Sequence, residues 1–211
     1  MTPEESSFQA AEICQLAPVV PVLVVENAAS AADLARALVA GGLPALEVTL
    51  RTTAALDVIR EMASVEGGVV GAGTLLTPAE VVAAKEAGAL FGVTPGTTDR
   101  LIDAALDAEL PLLPGAATAT EALRLLERGF SIQKFFPAEA SGGVPALKSI
   151  GAPMPQIRFC PTGGVTLKNA PDYLALSNTI CVGGSWVAPK DAVDAQDWAR
   201  ITELAAEASK L

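Results

Sequence analysis

Short runs of β-branched and aromatic residues alternate with Ala/Leu/Glu-rich stretches along most of the chain. The runs Val19–Val25, Ala45–Leu50, Val69–Ala72, Phe91–Val93, Leu112–Leu113, Ile132–Phe136, Ile157–Cys160 and Thr179–Val182 read as strands. Helices are expected between and after them, near 30–40, 53–64, 78–87, 98–108, 119–128, 143–149, 167–174 and 192–209. Ser30, Thr77-Pro78 and Thr118 are placed to start helices, and Gly41, Gly88 and Gly129 to end them. Strict β/α alternation predicts a parallel sheet with helices outside it. The number of units predicts an α/β chain closed as a (β/α)₈ TIM barrel, with an open doubly wound sheet as the alternative. An extra N-terminal helix, about 5–15, is expected to cover the bottom of the barrel. No linker or low-complexity tract interrupts the pattern, so residues 1–211 are expected to form one barrel domain.

Period-two alternation sorts each strand into an inner and an outer face. In ALEVTLR, Leu46, Val48 and Leu50 share one face, suited to packing on outer helices. Ala45, Glu47, Thr49 and Arg51 share the other, which puts polar groups toward the barrel axis, where Val, Ile and Leu are usual. Such groups are costly there unless paired or used. A Glu47–Arg51 pair at the barrel mouth is the bland reading. In SIQKFFP, Ile132, Lys134 and Phe136 share one face, with Gln133 and Phe135 on the other. An inward lysine that can shed its proton is a nucleophile for carbonyl carbons. The alternative is a lysine paired with Glu47 and chemically idle.

Composition narrows the chemistry. The chain has no histidine, which removes the commonest general base and the commonest metal ligand. Its net charge of −10 repels nucleic acid. With 51% hydrophobic residues, core material is plentiful, yet no apolar run is long enough for a membrane span. The acidic N-terminus does not read as a signal peptide. The three cysteines, Cys14, Cys160 and Cys181, lack CxxC spacing and read as small buried residues of a cytoplasmic protein. CPTGGV (160–165) and CVGGSW (181–186) place double glycines after the last two strands, where barrels of this kind commonly bind phosphate. Glu139, Asp172 and Asp191 read as surface or cap residues, and Trp186 and Trp198 as packing groups.

Taken together, EVTLRT (47–52), GAGT (71–74), KFFPAE (134–139), FCPTGG (159–164) and VGGSW (182–186) resemble the 2-keto-3-deoxy-6-phosphogluconate (KDPG) and 4-hydroxy-2-oxoglutarate aldolases. The resemblance runs from about Pro18 to Pro189. It implies a (β/α)₈ barrel, usually a homotrimer, acting as a lysine aldolase without metal or cofactor. Carried over residue by residue, it makes Lys134 the Schiff-base lysine and Glu47 the general acid/base. Arg51 and Thr74 would hold the substrate's pyruvoyl carboxylate. Pro95 and Phe136 would shape the pocket, while Thr162, Gly163, Gly164, Gly183, Gly184 and Ser185 would line its phosphate end. Thr94 departs from the family's usual serine. The implied partner is a small phosphorylated 2-keto acid. An aldolase for the C4 epimer, a non-covalent phosphate-binding isomerase and a sugar-phosphate sensor are the alternatives.

Overall fold

The computed structural model describes residues 1–211. Helix α1 (Pro3–Cys14) leads into β1 (Val19–Leu23), a 3₁₀ turn (Ala28–Ser30) and α2 (Ala31–Ala40). There follow β2 (Ala45–Thr49), α3 (Ala55–Ala63), β3 (Val69–Gly73), α4 (Pro78–Glu86), β4 (Phe91–Val93), α5 (Asp99–Asp107), β5 (Leu112–Leu113) and β6 (Gly115–Ala116). The chain continues through α6 (Ala119–Glu127), β7 (Ile132–Phe135), α7 (Gly143–Gly151), β8 (Arg158–Pro161), α8 (Ala170–Leu174), β9 (Val182–Gly184), α9 (Lys190–Asp194) and α10 (Trp198–Ala208).

This is an α/β fold on a curled parallel sheet. Six strands pair in the order β5-β4-β3-β2-β1-β9, and three more pair as β6-β7-β8. Every pairing is parallel, as the helical crossovers require. Pro114 separates β5 from β6, because a residue without an N–H breaks the ladder there. Single parallel bridges, Phe159 with Thr179 and Thr162 with Gly183, join β8 to the β9 segment.

Two apolar layers hold the sheet. A cluster of 47 buried residues fills the space between strands and helices and includes Leu46, Val48 and Phe135. A smaller cluster lies on the inner face: Cys14, Val20, Ala45, Phe91, Val93, Leu113, Ile132, Cys160 and Cys181. Alternate residues of one strand thus enter different clusters, as period two demands. Helix α1 lies against the N-terminal ends of the strands. Ser6 Oγ accepts from the Leu112 amide (2.9 Å), and Ser7 Oγ accepts from those of Ser131 (3.0 Å) and Ile132 (3.2 Å). Both serines are buried, so their hydroxyls satisfy strand-end amides that water does not reach.

Several boundaries differ from the sequence reading. The last strand begins at Val182, not Thr179. The expected helix 192–209 is two helices, broken where Gln196 takes φ of 54° and Asp197 accepts from the Arg200 amide to start α10. Thr77 and Thr118 form capping boxes with Glu80 and Glu121. The Ser30 hydroxyl makes no cap bond; Asn27 caps the 3₁₀ turn instead. Gly88 and Gly129 take the left-handed conformation after their helices, but after α2 that role falls to Gly42 rather than Gly41.

Candidate active site

Strand β2 is buried throughout, and its inward residues carry the first half of the site. The Glu47 side chain is only 3% exposed. Thr49 Oγ1 donates to the Leu23 carbonyl at 2.8 Å, tying β2 to β1. The Glu47 carboxylate leans across the neighbouring strand. A methyl group on Gly73 would lie 2.2 Å from Glu47 Oε1 and 2.6 Å from its Cγ, so only glycine admits this approach.

Strand β7 supplies the second half. Gln133 faces outward and donates through Nε2 to the Ala122 and Phe130 carbonyls, each at 2.9 Å. Phe135, also outward, meets the Phe159 ring edge-on at 6.3 Å between centroids. Ile132 enters the inner cluster, and Lys134 points the same way. Lys134 Nζ donates to Glu47 Oε1 at 3.1 Å and lies 5.3 Å from the Phe136 ring centroid. Beneath Glu47 the floor is apolar, lined by Ala10, Ile13, Cys14, Val20, Phe91, Val93 and Leu113. Two opposite charges therefore sit together on a dry base. Removal of either would leave the other unpaired, which is the costly state.

The remaining predicted residues lie at the C-terminal ends of the strands. Arg51 follows β2 and donates through Nε to Thr74 Oγ1 at 3.4 Å, after β3. The expected alternative, an Arg51–Glu47 pair, is absent: Glu47 pairs with Lys134. Thr74 itself has φ of 61°, a conformation that disfavours a β-branched residue. Strain of this kind gathers at functional sites. Pro95 follows β4, Phe136 follows β7, and Thr162, Gly163 and Gly164 follow β8, while Gly183 and Gly184 end β9 just before Ser185. The Gly163, Gly164 and Ser185 amides donate to no acceptor within the chain, so they can serve an anion.

Three contributions escaped the sequence reading. Thr94, buried, receives the Gly115 amide on Oγ1 at 3.1 Å and shares a hydrogen bond with Thr97 Oγ1 at 2.8 Å, which fixes the turn bearing Pro95. Glu139 is exposed, as expected, but it also accepts from Tyr173 Oη on its Oε1. Burial, with the Glu139 carboxylate beside it, pushes the Tyr173 phenol above the usual tyrosine range. The signals were a lone tyrosine in a chain of 211 residues and a carboxylate directly after Phe-Pro-Ala. The serines of α1 gave none, because a helical Ser-Ser pair has no distinctive spacing.

The three thiols are free and share the inner cluster. No group of three or more His, Cys, Asp or Glu side chains is arranged to hold a metal ion. A cleft of about 650 Å³ lies elsewhere, lined by Asp99, Glu121, Arg124 and Arg128 on α5 and α6 and their flanks. It holds neither Lys134 nor Glu47.

A family model described as KDPG and KHG aldolase matches residues 10–204. The chain is 52% identical over 192 residues to the 2-dehydro-3-deoxy-phosphogluconate aldolase of Pseudoalteromonas atlantica, covering 90% of this chain and 89% of that one. It is 50% identical over 200 residues to the KHG/KDPG aldolase of Escherichia coli K12, covering 94% of each. Among solved structures it resembles the 2-keto-3-deoxy-6-phosphogluconate aldolase of Zymomonas mobilis with 3-phosphoglycerate, at 50% identity and a TM-score of 0.92 over 96% of each chain. It also resembles the KDPG aldolase of Legionella pneumophila with pyruvate captured as a covalent carbinolamine intermediate, at 42% identity and a TM-score of 0.91 over 94% of this chain and 97% of that one. With its family model matched over nearly its full length and half its residues shared with such relatives, the chain belongs to the KDPG and KHG aldolase family.

Proposed function

We propose that the protein is a class I aldolase that reversibly cleaves 2-keto-3-deoxy-6-phosphogluconate to pyruvate and glyceraldehyde 3-phosphate, and also accepts 4-hydroxy-2-oxoglutarate. The observation that carries this reading is the shielded Lys134–Glu47 contact at 3.1 Å. The relative from L. pneumophila, with pyruvate covalently captured, supports the same chemistry.

The proton inventory follows from that contact. Transfer of one proton from Lys134 to Glu47 gives a neutral amine and a carboxylic acid. The amine adds to the substrate's C2 ketone, forming a carbinolamine. Glu47 returns the proton to the carbinolamine hydroxyl, which leaves as water, and a cationic iminium remains. Glu47, now a carboxylate, takes the C4 hydroxyl proton. The C3–C4 electron pair moves toward the iminium nitrogen, the aldehyde departs and an enamine is left. Glu47 protonates C3, and water hydrolyses the new iminium to release pyruvate and the amine. One carboxylate thus acts alternately as acid and base, as a site without histidine requires.

The roles at the rim follow from position. Arg51 offers a fork of donors to the carboxylate next to the ketone, with Thr74 beside it. Pro95 and Phe136 bound the cup. The Thr162–Gly164 turn and Gly183, Gly184 and Ser185 receive the phosphate through backbone amides and the serine hydroxyl. We further place β1–β9 in one (β/α)₈ barrel over residues 1–211, with β5 and β6 as one interrupted strand. The bridges from β8 to the β9 segment support closure. A homotrimer rests on the family resemblance, and a cytoplasmic location on the free thiols, which fit a reducing compartment.

Borohydride reduction in the presence of pyruvate tests the mechanism. An irreversible mass gain on Lys134, lost in Lys134→Ala, is the expected result. Cleavage without trapping would favour a non-covalent enzyme, and absence of both would favour a sugar-phosphate sensor. Comparing kcat/KM for the two C4 epimers separates the gluconate-derived substrate from its galactonate-derived counterpart.

A further inference from the structure

Glu139 and Tyr173 take no part in the bond-making steps, yet they join the two loops that flank the substrate's far end. Glu139 lies in the turn after β7, and Tyr173 lies on α8, beyond the glycine turn after β8. The Ala138 amide donates to the Thr162 carbonyl at 2.8 Å, and the Glu139 amide to the Gly163 carbonyl at 3.0 Å. Tyr173 Oη adds a third link by donating to Glu139 Oε1. The phenol is fully buried, whereas Glu139 reaches solvent.

The glycine turn is shaped around this carboxylate. Gly163 and Gly164 have φ of 100° and 78°. A methyl on Gly164 would lie 2.7 Å from Glu139 Cγ, so the glutamate stem rests on the turn. A methyl on Gly143 would lie 3.3 Å from Glu139 Oε1 and 3.5 Å from Tyr173 Oη, so the charged head sits over the start of α7. On the other side, Asn169 Nδ2 donates to the Gly164 carbonyl at 3.2 Å, and Asn169 Oδ1 accepts from the Thr166 amide at 2.7 Å. The turn is therefore held from both flanks. A carboxylate near an anion-binding turn repels the anion unless something directs it away.

We propose that Tyr173 and Glu139 are positioning residues for the substrate phosphate: the phenol hydrogen bond keeps the Glu139 head over Gly143 and its stem against Gly164, which fixes the Gly163 and Gly164 amides toward the ligand. This rests on the aldolase reading above. It assigns work to a tyrosine that touches no substrate and to a glutamate that the reaction does not consume.

Tyr173→Phe removes one hydroxyl and leaves the ring in place. The KM for 2-keto-3-deoxy-6-phosphogluconate should rise about three- to tenfold, the size expected for one lost hydrogen bond, with kcat little changed. The KM for unphosphorylated 2-keto-3-deoxygluconate and pyruvate trapping by borohydride should move far less. Glu139→Leu should reproduce the Tyr173→Phe pattern, while Glu139→Gln, which still accepts from the phenol, should stay close to the parent. Amide hydrogen exchange at Ala138 and Glu139, whose amides tie the turn by donating to the Thr162 and Gly163 carbonyls, should quicken in Tyr173→Phe. An equal KM change for both substrates, or unaltered exchange at the turn, overturns the proposal. Exchange needs no turnover, so it decides the positioning role even if the parent protein traps no pyruvate, a result that would defeat the aldolase reading itself.

Discussion

Glu47 and Lys134 are 87 residues apart in the chain and 3.1 Å apart in space, with side chains 3% and 5% exposed. Each comes from a different strand of a different sheet segment, so the contact depends on the global fold. Substitution at Glu47 should separate its two contributions. Glu47→Gln should lower kcat by about 10²- to 10⁴-fold, the range for loss of a general acid/base. Glu47→Leu should also destabilise the fold by about 3–5 kcal/mol, because a buried ammonium loses its partner. Steady-state kinetics and thermal melts read the two effects; near-normal turnover in Glu47→Gln would show that another group moves the protons.

Gly73→Ala tests how closely the carboxylate must be placed. The new methyl would meet Glu47 at Oε1, Cγ and Cδ, so the whole side chain has to shift, not only its tip. A displacement of about 1 Å at a reacting group can cost about a hundredfold. The kcat should fall by about that factor while the protein stays folded by circular dichroism. A fully active Gly73→Ala protein would mean that Glu47 acts from another position.

Much of this site was legible in the sequence, because period-two alternation assigns faces without knowledge of the fold. It put Glu47 and Lys134 inward and Leu46, Val48 and Phe135 outward, and the two clusters are divided in that way. Pairing between strands was harder to read. Alternation allowed Glu47 to meet either Arg51 or Lys134, and only the placement of β7 resolves that choice in favour of the lysine. The break before α10 was written locally, in Asp197 ahead of Trp198, but the surrounding alanines masked it. Ser6 and Ser7 were unreadable, since the amides they serve lie more than a hundred residues away.

Those serines make a stability prediction. Ser6→Ala leaves the Leu112 amide without its partner, and Ser7→Ala does the same to the amides of Ser131 and Ile132. A buried donor left unsatisfied costs about 1–3 kcal/mol. Denaturant unfolding should show a loss of that size for each variant, larger for Ser7→Ala, with kcat per folded molecule unchanged. No loss of stability would mean that water reaches these strand ends.

Chelation gives a fourth expectation. In the proposed route the iminium nitrogen receives the electron pair of the breaking bond, which is the role a Lewis-acid ion plays in metal aldolases. Dialysis against EDTA should leave kcat and KM unchanged. Activity lost on dialysis and restored by a divalent ion would replace the covalent route with a metal-dependent one.

Helix α1 packs on the N-terminal ends of β5 and β7 through Ser6 and Ser7, while Arg51, Thr74, Pro95 and Ser185 follow the C-terminal ends of their strands. In the proposed route only the pyruvate fragment is bonded to the protein, through Lys134. On that route the aldehyde is free to leave once the C3–C4 bond breaks, whereas pyruvate waits for water, and in the synthetic direction pyruvate loads first. The covalent tether at Lys134 thereby sets the order of product release.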